Sequence, residues 1–257
     1  MPEYDPFAPF YDLSPGAVAL TDDIPFYTEL ARAAGGPVCE LACGTGRILL
    51  PLAKAGIKVT GLDLSQGMLD VLQAKLDKEP RDVQSRVALR CADMRDYRFS
   101  QKFSLVICGF NSFLHLLATD DQLACLTSIR EYLADDGLLC IAVFAPYHDL
   151  LAQRTMTDEQ VGADNTITRY ITTRNTAEQT MDLVIALDTV ASDGSVRRHA
   201  AKFSLCWIHN REMHLLFRLA GYRVEHVYGG YDKRPYDYVS GRQVFVARPH
   251  FPQRQHV

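Results

Sequence analysis

The sequence predicts an α/β fold, a doubly wound sheet that carries an inserted antiparallel β layer. Strand-like and helix-like segments alternate through roughly the first 145 residues, the signature of parallel βαβ units. After about Pro146 the helices stop, and three long β-branched runs follow with only turn residues between them. One more helix and two strands then resume the first pattern. A chain of 257 residues fits one such domain with a substantial insertion.

The elements follow in order from local signals. The opening MPEYDPFAPFYDL lacks the basic and apolar regions of a secretory leader, and an amphipathic helix is expected over 22–34. Apolar strands are expected at 37–42, 57–62, 86–91, 103–109 and 138–144. Helices fall between them near 46–55, 66–78 and 120–134, the last stopped by Asp136-Gly137. The β-branched runs are 166–174, 180–190 and 196–206, with turn signals at Asn175 and at Ser192-Asp193-Gly194-Ser195. A helix over 210–220 ends at Gly221, and strands at 222–228 and 242–248 close the chain. The expected organisation is therefore a core with an N-terminal helical cap over 1–146, an inserted β subdomain over 147–206, and a return to the core sheet over 207–257. The insertion reads as a substrate lid or as the face of a homodimer.

Composition narrows the function classes. Apolar residues make up 47%, ordinary for a full core, and no apolar run reaches the ~18 residues of a membrane span. A net charge of −4 without a long basic block disfavours nucleic acid; the basic tail from Arg248 reads as a solvated end. Seven cysteines is an odd number. Cys39, Cys91, Cys108, Cys125, Cys140 and Cys206 sit in apolar contexts and read as reduced core thiols of a cytoplasmic protein. Cys39 and Cys43 have no second pair at metal spacing, so no metal is expected.

The residues that carry chemistry lie at successive strand ends. The first strand ends in Glu40-Leu41-Ala42-Cys43-Gly44-Thr45-Gly46, where two glycines let a nucleoside cofactor lie against backbone. A dinucleotide fingerprint would place a third glycine where this chain has Leu49. Glu40 would repel a pyrophosphate but suit a cationic cofactor. The second strand ends in Asp63-Leu64, 17 residues after Gly46, where a carboxylate can accept both hydroxyls of a ribose. After the third come Ala92-Asp93-Met94, suited to an adenine amino group, with Met94 or Met68 along the base. After the fourth come Gly109-Phe110-Asn111-Ser112-Phe113-Leu114-His115, where polar and aromatic groups meet. Singly each is weak, since an acid at a strand end is more often a turn or cap residue. Together, at βαβ spacing, they are specific.

On these motifs the chain resembles the class I S-adenosylmethionine-dependent methyltransferases, over about residues 20–145. The resemblance implies a Rossmann-like sheet of seven strands with the last antiparallel. It also implies S-adenosyl-L-methionine as cofactor and S-adenosyl-L-homocysteine as product. The methionyl end would lie over Gly44 and Gly46, flanked by Ala42 and Cys43. The ribose would rest on Asp63 beside Leu64, and the adenine near Asp93, Met94 and Ala92. The segments Phe7-Ala8-Pro9-Phe10-Tyr11-Asp12, Ala92 to Tyr97 and Phe110 to Leu116 further resemble small-molecule N-methyltransferases such as those acting on dTDP-aminosugars, with Asn111 where serine is common. That resemblance makes Tyr11 a neighbour of cofactor and reacting centre, and His115 a candidate base. An amine must present a lone pair to the methyl group, and a histidine of near-neutral pKa can take its proton.

Weaker candidates are Tyr147-His148, Trp207 with His209, the aromatic run Tyr228, Tyr231, Tyr236 and Tyr238 as a pocket rim, and Arg169, Arg174, Arg197 and Arg198 as anchors for an anionic substrate. The reading is a methyltransferase of a small-molecule acceptor, at an amine nitrogen. The alternatives are O-, S- or C-methylation of a metabolite, or a protein that binds S-adenosylmethionine without turnover. Leu49 and Glu40 disfavour a dehydrogenase.

Overall fold

The computed structural model describes residues 3–14, 20–146, 154–161, 166–191, 193–237 and 239–250. A seven-stranded sheet is built from β1 (Val38–Leu41), β2 (Val59–Asp63), β3 (Val87–Cys91), β4 (Phe103–Cys108), β5 (Leu133–Phe144), β10 (Tyr222–Tyr228) and β11 (Arg242–Pro249), in the order β10-β11-β5-β4-β1-β2-β3. Only β11 runs antiparallel to its neighbours, pairing so with both β5 and β10. Helices α1 (Asp23–Ala34), α2 (Leu49–Lys54), α3 (Gln66–Leu76), α4 (Arg81–Gln84), α5 (Thr119–Tyr132) and α6 (Asn210–Leu219) connect the strands. β1 and β2 are buried at every position, as expected of parallel strands covered on both faces.

The helices bury the faces that their periodicity sets. α3 turns Met68, Leu69, Leu72 and Leu76 inward, and its start is capped by Ser65, whose Oγ accepts from the Met68 N–H at 3.1 Å. α5 buries Cys125, Leu126 and Ile129. It ends at Tyr132, not at the expected Asp136-Gly137. Leu133 is already extended, and β5 carries that Asp-Gly pair within it. Pairing of Leu133 with Phe103 across the sheet overrides the local stop signal.

The insertion forms a separate antiparallel sheet in the order β6-β7-β8-β9. Three strands were expected, and β7 (Thr166–Asn175), β8 (Thr180–Val190) and β9 (Val196–Cys206) match them closely. The fourth, β6 (Thr155–Val161), was missed because MTDEQ is charged and mostly exposed, without apolar alternation. Of the expected turn Ser192-Asp193-Gly194-Ser195, Ser192 lies outside the described residues. Trp207 is buried in the core, and His209 starts α6 with its N–H donated to Glu212 Oε2 at 2.7 Å, both structural roles. All seven cysteines are free; six are buried, while Cys91 on the edge strand is exposed against expectation. Among the described residues no helix is long and apolar enough to cross a membrane.

Candidate active site

The carboxyl ends of β1 to β4 open into one cavity of about 980 Å³, closed on the far side by the second sheet and over the top by the N-terminal segment. That position is where a doubly wound sheet gathers its ligands. Ala42, Gly44, Asp63, Leu64, Met68 and Ala92 line it. So do Asp93, Met94, Phe110, Tyr11 and His115.

Three expected residues do not reach the cavity. Cys43 is buried with its Sγ against Gly61, and Gly46 packs on Leu72, where an added Cβ would come 2.3 Å from Cδ1. Glu40 is buried beneath the turn. Burial pushes its carboxyl well above the ordinary range, only partly offset by the charge of Arg47, and its Oε2 has no partner. The carboxylate expected from the sequence is thus a buried acid held toward its neutral form, and a cationic group at the turn would draw it back toward the ionised form.

The turn itself is shaped by backbone. Gly44 has φ +54°, and a Cβ there would meet nothing within 4 Å, so its backbone faces open cavity. Gly44 N–H donates to Asp63 Oδ2 at 2.7 Å and Ser65 N–H to Oδ1 at 2.8 Å. Both oxygens are thereby aimed and still keep lone pairs for further donors. Burial raises the Asp63 pKa, and these backbone donors hold it back down. Ala42, Phe110 and Asn111, non-glycine residues with φ of +52°, +50° and +67°, all line the cavity. Such conformations cost about 1–2 kcal/mol each. At Asn111 the side chain fixes the bend by accepting the Phe144 N–H at 2.7 Å, and the Phe110 ring lies under the Arg47 guanidinium at 4.9 Å. Asp93 is gripped by Arg95 at 2.6 Å, which holds its carboxyl below the usual range, and Arg95 also pairs with Asp121 at 2.9 Å.

The opposite wall holds residues that sequence reasoning missed. Tyr4 Oη lies 3.4 Å from His115 Nε2, and its ring stacks on Phe203 with centroids 4.8 Å apart. Tyr170 Oη shares a hydrogen with Ser14 Oγ at 2.7 Å. The N-terminal segment is fastened down. Asp5 accepts from Ser65 Oγ and from the Gly67 N–H, and Asp12 accepts from Thr45 Oγ1 at 2.7 Å and pairs with Lys75 at 2.6 Å. Alternate residues of the second sheet, such as Tyr170 and Thr172, Leu183 and Ile185, Phe203 and Leu205, present one face to the cavity. Tyr4 follows no motif, and Tyr170 and Phe203 are ordinary strand aromatics, so no local signal marks them.

Other candidates fall elsewhere. Tyr228 and Tyr231 pack with Phe26 on the other side of the main sheet, Tyr236 does not line the cavity, and Tyr238 lies outside the described residues. Tyr147 and His148 also lie outside them. Arg169 and Arg198 both pair with Asp188, and neither they nor Arg174 and Arg197 line the cavity. Among the described residues no cluster of His, Cys, Asp and Glu has metal-site geometry.

Desolvation among these rings pushes His115 from 6.5 down to about 4. Below pH 6.5 the unfolded chain binds a proton at this residue that the folded chain refuses. The stability it contributes is whole above that pH and falls as pH drops toward 4. Denaturant titrations at pH 7 and 4.5 should therefore show His115→Leu losing about 2–3 kcal/mol less than wild type. Equal losses would mean that the ring is not desolvated.

A doubly wound sheet with a glycine turn at the first strand and an acid at the second defines a nucleoside-cofactor enzyme. The methyltransferase domain family matches residues 38–137. The chain is 30% identical over 217 residues to dTDP-3-amino-3,4,6-trideoxy-alpha-D-glucopyranose N,N-dimethyltransferase of Streptomyces venezuelae, covering 82% of this chain and 81% of that one. It is 28% identical over 218 residues to the cypemycin N-terminal methyltransferase of a Streptomyces species, with 82% of each covered. In structure it is similar to the CcbJ methyltransferase from Streptomyces caelestis, with a TM-score of 0.86 and 25% identity over 97% of this chain and 98% of that one. The protein belongs to the class I S-adenosylmethionine-dependent methyltransferases, and its methyl donor is S-adenosylmethionine.

The residues present fit that donor. Gly44 leaves open room, Asp63 offers two aimed carboxylate oxygens, and the exposed Leu64 and Leu117 at the cavity give apolar surface for a base to cover.

Proposed function

We propose that this protein methylates an amine nitrogen of a small molecule. The observation that carries this reading is the aromatic cage of Tyr4, His115 and Phe203, which shares one cavity with the Gly44–Asp63 turn. Of the relatives with similarity over most of the chain, one is named an N,N-dimethyltransferase and another an N-terminal methyltransferase. Bound S-adenosylmethionine supplies an electrophilic methyl group on a sulfonium.

In this reading Asp63 holds the ribose hydroxyls, Asp93 with Met94 and Met68 flank the adenine, and Ala42 and Gly44 lie along the methionyl chain. Tyr11, with its hydroxyl pushed up to about 12 by burial, stays protonated and donates a hydrogen bond near the reacting centre. His115 stays neutral through the physiological range. Paired with the Tyr4 hydroxyl, it accepts a hydrogen bond from the acceptor amine and aims the nitrogen lone pair. A base of such low pKa suits an amine that arrives unprotonated, or one that passes its proton onward to water. Most of the acceleration comes from alignment in a site that excludes water. Seven reduced cysteines support a cytoplasmic location.

The test is formation of S-adenosylhomocysteine with matched amine, phenol and thiol forms of the same aromatic and glycosidic bodies. Amines should be turned over at least about tenfold faster than the corresponding phenols. A preference for phenol or thiol would overturn the reading.

A further inference from the structure

The wall facing the cofactor turn is one-sided in charge. Tyr4, Tyr170, Phe203, Leu183 and Ile185 make it apolar, and two carboxylates, Glu3 and Asp158, stand within the lining. Asp158 accepts from Gln160 Nε2 at 3.3 Å, and neither acid is in an ion pair among the described residues. The cavity's lining contains one arginine and no lysine among the described residues. That arginine, Arg95, is spent between Asp93 and Asp121.

The insertion's arginines do not change this. Asp188 gathers Arg169 and Arg198 on the face turned away from the cavity, opposite Tyr170 and Phe203 in the strand alternation. Arg174, on the cavity-side face beyond Thr172, is buried and is not part of the lining. The residues outside the description add no lysine and a single arginine, Arg254. Two helix N-termini stand at the cavity: at α3 Asp5 already takes the Gly67 N–H at 3.1 Å, and the first turn of α5 carries Asp120 and Asp121.

A nucleoside diphosphate is recognised by arginine, lysine or free backbone N–H groups. Exposed acids placed without such partners disfavour it, because a phosphate brought beside them meets like charge where it needs a counter-charge. We propose that the acceptor is an amine on an uncharged or cationic, partly apolar body that carries no phosphate, and that Glu3 and Asp158 exclude nucleotide-linked amines. This rests on the amine-methylation reading above. The aromatic walls serve the same selection, since tyrosine and phenylalanine faces attract a cationic nitrogen and offer nothing to a phosphate.

Calorimetry on the full chain loaded with S-adenosylhomocysteine tests the charge selection without turnover. Benzyltrimethylammonium should bind at least about tenfold tighter than thymidine diphosphate, and the double variant Glu3→Gln, Asp158→Asn should narrow that ratio at least about threefold. Thymidine diphosphate binding as tightly as the ammonium, or an unchanged ratio in the variant, overturns the proposal. One aminohexose is then offered as its methyl glycoside and as its thymidine diphosphate ester. The glycoside should show at least about tenfold higher kcat/KM, and the reverse order also overturns the proposal. If neither form is methylated while a matched phenol is, the amine reading has failed, and the probe ratio still decides the charge selection.

Discussion

Asp63→Ala is expected to weaken S-adenosylmethionine binding at least about thirtyfold in calorimetry, the equivalent of about 2 kcal/mol. The carboxylate stands at the end of β2 with both oxygens already aimed by Gly44 and Ser65 N–H groups. In the proposed pose the ribose hydroxyls add charge-assisted bonds worth about 1.5–3 kcal/mol each against a charged acceptor. The alanine variant loses those bonds and frees the Gly44 N–H, which loosens the turn under the methionyl chain. Asp63→Asn keeps one carbonyl acceptor and should fall between the two. A thermal melt of each variant separates lost affinity from lost fold. Unchanged affinity in a folded Asp63→Ala protein would remove the ribose assignment.

His115→Ala is expected to lower kcat by about 100-fold, within the range of positioned proton-transfer groups, with cofactor affinity changed less than about twofold. The ring lies on the cavity wall opposite the cofactor turn, fixed between Tyr4 and Phe203, so its loss should touch the acceptor and leave the donor in place. Tyr4→Phe should lower kcat less, because it removes the hydroxyl at 3.4 Å and keeps the stacked ring. The pH profile gives an independent reading. With its pKa near 4, His115 contributes no inflection to kcat/KM between pH 5.5 and 7.5. The rise with pH should instead follow the acceptor amine's own pKa. Undiminished turnover in the alanine variant, or an inflection near 6.5 that His115→Ala abolishes, would refute the neutral positioning role.

Much of the fold could be read from the sequence because its signals are local. β10 was placed at its observed bounds, and β7, β8 and β9 within a residue. Their β-branched runs and intervening turns fix strand conformation without reference to distant neighbours. The end of α5 and the whole of β6 were not readable, since partners across a sheet determine both.

The same division runs through the site. The glycine turn, Asp63 on the next strand, Asp93 on the third and Phe110 after the fourth were legible, because each lies within a few residues of a strand end and βαβ topology puts strand ends together. The sequence alone therefore determined the fold class and the methyl donor. It did not reveal that Glu40 lies under the turn with its carboxyl pushed toward the neutral form, since that shift depends on how completely the surrounding core excludes water. Nor could it join Tyr4 to His115 across 111 residues, or Ser14 to Tyr170 across 156. The charge of the acceptor wall was also hidden. It depends on which arginines find Asp188 behind the second sheet, and strand register alone assigns that face. Local conformation is written in neighbouring residues, whereas the acceptor's chemistry is set by long-range packing that only the folded chain brings into contact.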